Sequence, residues 1–150
     1  MESTHKYLIT ASSTTDRSGA VTAPGIEPSI AFSAPPEFLG QAGVWTPEHL
    51  FVAAVASCFV STFSGMSLAS KFEFDSLELE VEGILAKDET GWRFRQVILR
   101  PRLQVSRTED ADRGNRLLQK AEKNCLIGRS IACPTVLEAV IKTREVKVAA

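Results

Sequence analysis

Charge of one sign is missing from this sequence: 17 Lys and Arg stand against 18 Asp and Glu in 150 residues, a formal net charge of -1. Such a balance supplies no field to gather nucleic acid or an anionic membrane, so neither is expected as a partner. Histidine and cysteine are also scarce. Two His and three Cys, with no CxxC or CxxH pairing, make neither a zinc site nor the even-numbered disulfide framework of a small secreted domain. No metal and no cofactor is expected. The opening residues Met1–Lys6 lack a basic-then-apolar signal region, so a cytosolic location is expected, where thiols stay reduced and a cysteine matters through its reactivity. A long uninterrupted apolar run is absent too. No charged residue falls between Glu48 and Lys71, but Ser57, Ser61, Thr62, Ser64, Ser67 and Ser70 punctuate that stretch. Only Leu50–Val60 is densely apolar, short of the ~20 residues a bilayer demands, and a buried core helix is the expectation.

What is present is an ordinary core: 44% hydrophobic and 23% charged residues over a length that fits one domain, 1–150. Tyr7–Ala11 reads as a strand. Asp16-Arg17-Ser18-Gly19 reads as a hairpin turn into Ala20–Thr22, with Gly19 taking the awkward backbone angle, and Ser29–Ser33 as a third strand. Pro35-Pro36, Gly40 and Gly43 make a loop. Thr46 is an N-cap residue, Pro47 suits the first helical position and Glu48 sets negative charge on the positive helix end. Leu50–Val60 is then apolar nearly all round, as in a helix sheathed by protein. Leu77, Leu79 and Val81 alternate with Glu78, Glu80 and Glu82 in a half-exposed strand; Asp88–Gly91 turns the chain into Trp92–Val105. Thr108–Asn124, acidic at its start and basic at its end, reads as a helix, and Thr135–Val148 as a closing strand. The order βββ-α-ββ-α-β describes an α+β protein with sheet around a buried helix. Six strands give limited cover to a helix that apolar, so a homodimer is expected.

Three cysteines and few other residues hold out chemistry. Cys58 lies within the apolar helix, where a small core hydrophobe is the bland reading and a raised thiol pKa the physical expectation. Reactivity there needs a cation delivered from elsewhere. Cys125 ends the second helix beside Lys123 and Arg129; the helix C-terminus disfavours a thiolate and the cations favour one, which leaves both readings open. Cys133, before Pro134, reads as a packing residue. Glu48 is explained by its helix terminus alone, Arg17 by a solvated turn and His49 by the helix surface.

The stretch Gly43-Val44-Trp45-Thr46-Pro47-Glu48-His49-Leu50-Phe51-Val52-Ala53-Ala54-Val55-Ala56-Ser57-Cys58-Phe59 resembles the hallmark of the OsmC/Ohr (organic hydroperoxide resistance) family. There a Thr/Asn-Pro-Glu helix start runs through an Ala-rich turn into Ala-Cys-Phe. Lys120-Ala121-Glu122-Lys123-Asn124-Cys125 is similar to the family's second-cysteine segment, and the hairpin with Arg17 ahead of Gly19 to the region supplying its arginine. Where the family often has Cys-Pro-x-Ser-Arg, this chain has Cys125-Leu126-Ile127-Gly128-Arg129. The resemblance implies an intertwined α+β homodimer, with antiparallel sheets wrapped around long central helices. It implies a thiol peroxidase in which Cys58 attacks an organic hydroperoxide and Cys125 condenses with the resulting sulfenic acid. A dithiol such as a lipoylated protein would reduce the disulfide, and Arg17 with Glu48 would hold and activate the thiolate. Glu48 and Cys58 are ten positions apart, roughly 15 Å of helix, so the Glu48 serving a given Cys58 is expected from the second subunit. Two other readings remain. A hot-dog thioesterase would use Glu48 on a central helix but leaves the cysteines idle, and a non-catalytic carrier would use the same interior for a small apolar ligand.

Overall fold

Turn chemistry organises the first third of the chain. In the computed structural model, which describes residues 2–144, β1 (Thr10–Ser13), β2 (Ser18–Ala23) and β3 (Ile26–Ser33) form an antiparallel sheet in the order β1-β2-β3. β1 starts at Thr10 rather than Tyr7 because its pairing ends at Thr10↔Thr22, next to the end of β2. Tyr7, Leu8 and Ile9 are left exposed. The awkward angle also falls elsewhere than expected: Asp16 has φ 55°. Gly19 is required by close approach instead, since a Cβ there would meet the Ser12 carbonyl and the Phe32 ring. After a short 3-10 helix, Pro36–Phe38, comes α1 (Pro47–Ala69). The buried Thr46 caps it, its hydroxyl oxygen accepting from the His49 N–H at 3.0 Å.

The chain divides into two compact units, Met1–Phe51 and Val52–Ala150. In the second, β4 (Ser76–Asp88) and β5 (Gly91–Val105) pair antiparallel from Ser76↔Gln104 to Asp88↔Gly91. The turn between them is tied by Thr90, whose N–H and hydroxyl both donate to Asp88 Oδ1 at 2.8 and 2.6 Å. Alternate residues of β5, namely Val97, Leu99, Pro101, Leu103 and Val105, are buried. On the opposite face Arg100 reaches Glu80 (3.2 Å), Glu82 (2.8 Å) and Glu138 (3.0 Å). α2 (Ala111–Asn124), preceded by a 3-10 turn at Thr108–Asp110 where the sequence reading had helix, buries Gly114, Leu117, Leu118 and Ala121. Gly114 allows the approach: a Cβ there would come within 2.7 Å of Leu103 Cδ2. The core closes on Phe59 and Phe63 of α1, with Phe74 edge-on to Phe63 at 5.1 Å. Each such aromatic burial is worth about 1.5–3 kcal/mol.

Three features correct the sequence reading. A five-residue helix, α3 (Leu126–Ser130), follows α2 after Cys125. The closing strand is two short ones, β6 (Thr135–Leu137) and β7 (Val140–Thr143), while residues 145–148 of the expected strand lie outside the described residues. The gap between β6 and β7 falls opposite Arg100 and Pro101, and Pro101 has no N–H to give a ladder. Both strands run parallel to β5, so this sheet is mixed rather than antiparallel. Finally, among the described residues α1 is fully buried along one stripe, Val55, Phe59, Phe63 and Ser67, at the i, i+4 spacing of a single helix face. Val60 and Leu68 stay exposed. By length and composition α1 could cross a membrane; the cover this chain gives it is limited, as expected of six short strands.

Candidate active site

Helical spacing and one tight joint bring two cysteines together in the second unit. Cys58 sits mid-α1, half-buried, one turn before Thr62, whose Oγ1 lies 3.9 Å from its Sγ. Cys125 is the residue between α2 and α3, extended at φ -63°, ψ 109°. It is held from both sides: its N–H donates to Ala121 O at 2.8 Å, and its own carbonyl accepts from Arg129 N–H at 2.9 Å. That joint aims the buried Cys125 sulfur at α1, 4.0 Å from the Val55 carbonyl, one turn before Cys58. The first backbone N–H groups of α3 and the Cys125 thiol lie near enough to bear on the acidity of Cys58.

The two thiols are driven apart in acidity. Burial pushes Cys58 up, but the N–H of Ile127, the thiol of Cys125, the hydroxyl of Thr62 and the N–H of Leu126 outweigh it and hold Cys58 below its ordinary value. Burial also pushes Cys125 up; the N–H of Gly128 and of Ile127 oppose it, while the neighbouring Cys58 adds to it, and Cys125 stays above its ordinary value. The arrangement can hold one thiolate and one thiol side by side. A thiolate is the nucleophile in such a pair, and a thiol beside it can close a disulfide. Both cysteines, and Cys133 in the segment after α3, are free thiols. Among the described residues no group of three His, Cys, Asp or Glu side chains could hold a metal ion.

The donors that acidify Cys58 within the chain are backbone and neutral side-chain groups. Lys123 and Arg129, the cations read beside Cys125, are exposed. Arg17 and Glu48 lie in the first unit, where Arg17 Nη1 donates to the Phe38 carbonyl at 2.8 Å. Glu48 Oε2 is buried with no hydrogen-bond partner among the described residues. His49 is occupied by its own helix cap, its Nδ1 2.7 Å from Thr46 Oγ1 and its ring edge-on to Trp45. Sequence reasoning missed the Leu126 and Ile127 N–H groups, because backbone donors carry no residue-type signal and α3 was not foreseen. It also passed over Thr62, although the i, i+4 spacing from Cys58 was there to be read. Glu122, one turn before Cys125, is a further unforeseen feature: its Oε2 is buried and unpartnered among the described residues, and burial pushes its carboxyl up against the pull of Lys123.

By fold and site this is an α+β protein whose distinguishing feature is a pair of unlike thiols, one on a long apolar helix and one at a helix joint. The chain belongs to the OsmC-like protein family, whose model matches residues 40–140 and so takes in both cysteines. An uncharacterised protein of Bacillus subtilis, YmaD, is 28% identical over 104 residues, 67% of this chain and 69% of that one. An OsmC-like protein of unknown function from Vibrio cholerae superimposes with a TM-score of 0.81 at 22% identity, covering 91% of this chain and 100% of its own. The organic hydroperoxide resistance protein OsmC of Legionella pneumophila does so at 0.75 and 20% identity, over 95% and 100% of the two chains. The organic hydroperoxide resistance protein OhrB of B. subtilis gives 0.67 and 23%, over 92% and 98%. At these identities the superpositions show the fold.

Proposed function

We propose that this protein is a thiol-dependent peroxidase that reduces organic hydroperoxides. What carries the reading is two free thiols brought together at one helix, Cys125 Sγ lying 4.0 Å from the Val55 carbonyl one turn before Cys58, with Cys58 the more acidic of the two. Cys58 thiolate attacks the terminal peroxide oxygen, the O–O bond breaks, and an alkoxide leaves and takes a proton, giving Cys58 sulfenic acid and an alcohol. The Cys125 thiol then attacks that sulfur, forming the Cys58–Cys125 disulfide and expelling water. A dithiol reductant, of which a lipoylated protein is one kind, exchanges with the disulfide and restores both thiols. The hydroperoxide-resistance relatives of this fold support the substrate class.

The active form in this reading is a homodimer. Ala53, Ala56, Ser57, Val60 and Ser61 of α1, with Leu79, line an open concavity of small and apolar residues, suited to a second copy of the chain. Arg17 and Glu48 serve as the cation and its supporting carboxylate. The unbroken run of α1 and the unpartnered Glu48 Oε2 favour Glu48 acting at the Cys58 of the second copy.

Free-thiol titration before and after one equivalent of cumene hydroperoxide tests the chemistry. Two of the three thiols should be lost together in the native protein and none in Cys58→Ser. Cys125→Ser should instead accumulate a sulfenic acid that dimedone traps. Peroxide consumption undiminished in Cys58→Ser, or a native thiol count unchanged by the oxidant, sinks the reading.

A further inference from the structure

Hydroxyls recur along α1, and most of those with a recorded partner turn back onto the helix itself. Ser57 Oγ donates to Ala54 O at 3.2 Å, Ser61 Oγ to Cys58 O at 3.1 Å and Ser70 Oγ to Met66 O at 2.7 Å. This is the ordinary fate of a hydroxyl in mid-helix. Thr62 is different. The carbonyl one turn before it, that of Cys58, already receives the Ser61 hydroxyl, and the Thr62 oxygen lies instead 3.9 Å from the Cys58 sulfur. Thr62 is half-buried. As a β-branched residue on a helix it divides between two rotamers, and the one adopted here sets the hydroxyl toward the sulfur.

We propose that Thr62 is a further residue of the Cys58 site, its hydroxyl donating a hydrogen bond to the sulfur in the thiolate form. While Cys58 is a thiol, either group can donate; once it is a thiolate, only the hydroxyl can. The bond therefore strengthens on deprotonation and favours the anion. The same direction emerges from the side chains and N–H groups that acidify Cys58, among which Thr62 is counted. The donor is independent of Arg17 and travels with the cysteine on one helix, so it is present before any partner chain or substrate arrives. As a part of the peroxidase chemistry this inference rests on the function proposed above; as a statement about the thiol it does not, and the test separates the two.

The measurement is the pH dependence of Cys58 alkylation by iodoacetamide in the full-length protein, located by peptide mass mapping. Thr62→Val keeps the shape and removes the hydroxyl; Thr62→Ser keeps the hydroxyl. Thr62→Val should move the profile to higher pH and slow alkylation below the midpoint by about three- to tenfold, the range for one weak charge-assisted bond, while Thr62→Ser stays close to the native profile. A Thr62→Val profile superimposable on the native one overturns the proposal, and so does a Thr62→Ser profile displaced as far as that of Thr62→Val, which would mean the methyl group matters and the hydroxyl does not. A displaced Thr62→Val profile in a protein that consumes no hydroperoxide sinks the peroxidase and leaves Thr62 on the sulfur.

Discussion

Cys58 and Cys125 lie in one site, bear burial as the first influence on each, and are driven in opposite directions. What separates them is the supply of donors. Cys58 faces two backbone N–H groups of α3, a hydroxyl and a thiol. Cys125 faces N–H groups as well, but its nearest ionisable neighbour is Cys58, whose charge works against a second anion. Apolar surroundings therefore do not by themselves make a thiol inert. The count of donors aimed at the sulfur decides which of the two thiols is the more acidic.

The most direct way to break the comparison is to titrate both thiols at once. A lowered pKa puts thiolate on Cys58 at pH values where Cys125, with its raised pKa, is still protonated; as pH rises, Cys58 should be alkylated first and Cys125 last. Mass mapping after brief iodoacetamide pulses across pH 5 to 10, a range bracketing the ordinary thiol value, reads this order, and simultaneous or reversed labelling would erase the distinction. A second variant sharpens it. Leu126→Pro places proline at the first position of α3, where its ring is tolerated, and deletes one N–H facing Cys58. Cys58 alkylation near neutral pH should slow about two- to fivefold, and an unchanged rate would remove Leu126 from the donors. The smallest effect concerns the α2 side. Burial raises the Glu122 carboxyl, so its stabilising contribution is complete below the ordinary carboxylate pKa and is lost as pH rises through the raised one. Glu122→Gln should accordingly raise the Tm at pH 7 by on the order of 1 °C, discounted for partial exposure, with the gain vanishing near pH 4. An equal gain at both pH values would mean that charge is not the cause.

Much of the fold was legible because it rests on local rules. The Thr46-Pro47-Glu48 start of α1, the Leu77–Val81 alternation and the Asp88–Gly91 turn all stand where their residue types put them. The closing strand was less so, because its interruption is set by Pro101 on a different strand. Parallel pairing to β5 is a tertiary fact with no signature in residues 135–143. In the site, the cysteine pair was legible through its flanking motifs. The donors were not: the N–H groups of Leu126 and Ile127 depend on a helix too short to announce itself. Thr62 was overlooked because the search for an activator looked for formal charge.

The parallel pairing of β5 with β6 and β7 has an architectural consequence. Parallel neighbours cannot be joined by a hairpin; the chain must cross over through a dozen or more residues. Here residues 106–134 make that crossing, and they consist largely of α2, Cys125 and α3. The second thiol is thus mounted on a span that the sheet cannot do without, unlike a residue on a surface loop that insertion or trimming could displace. Shortening the crossing far enough to lose Cys125 would also cost β5 its partners on that edge, so the position of the second thiol is tied to the sheet.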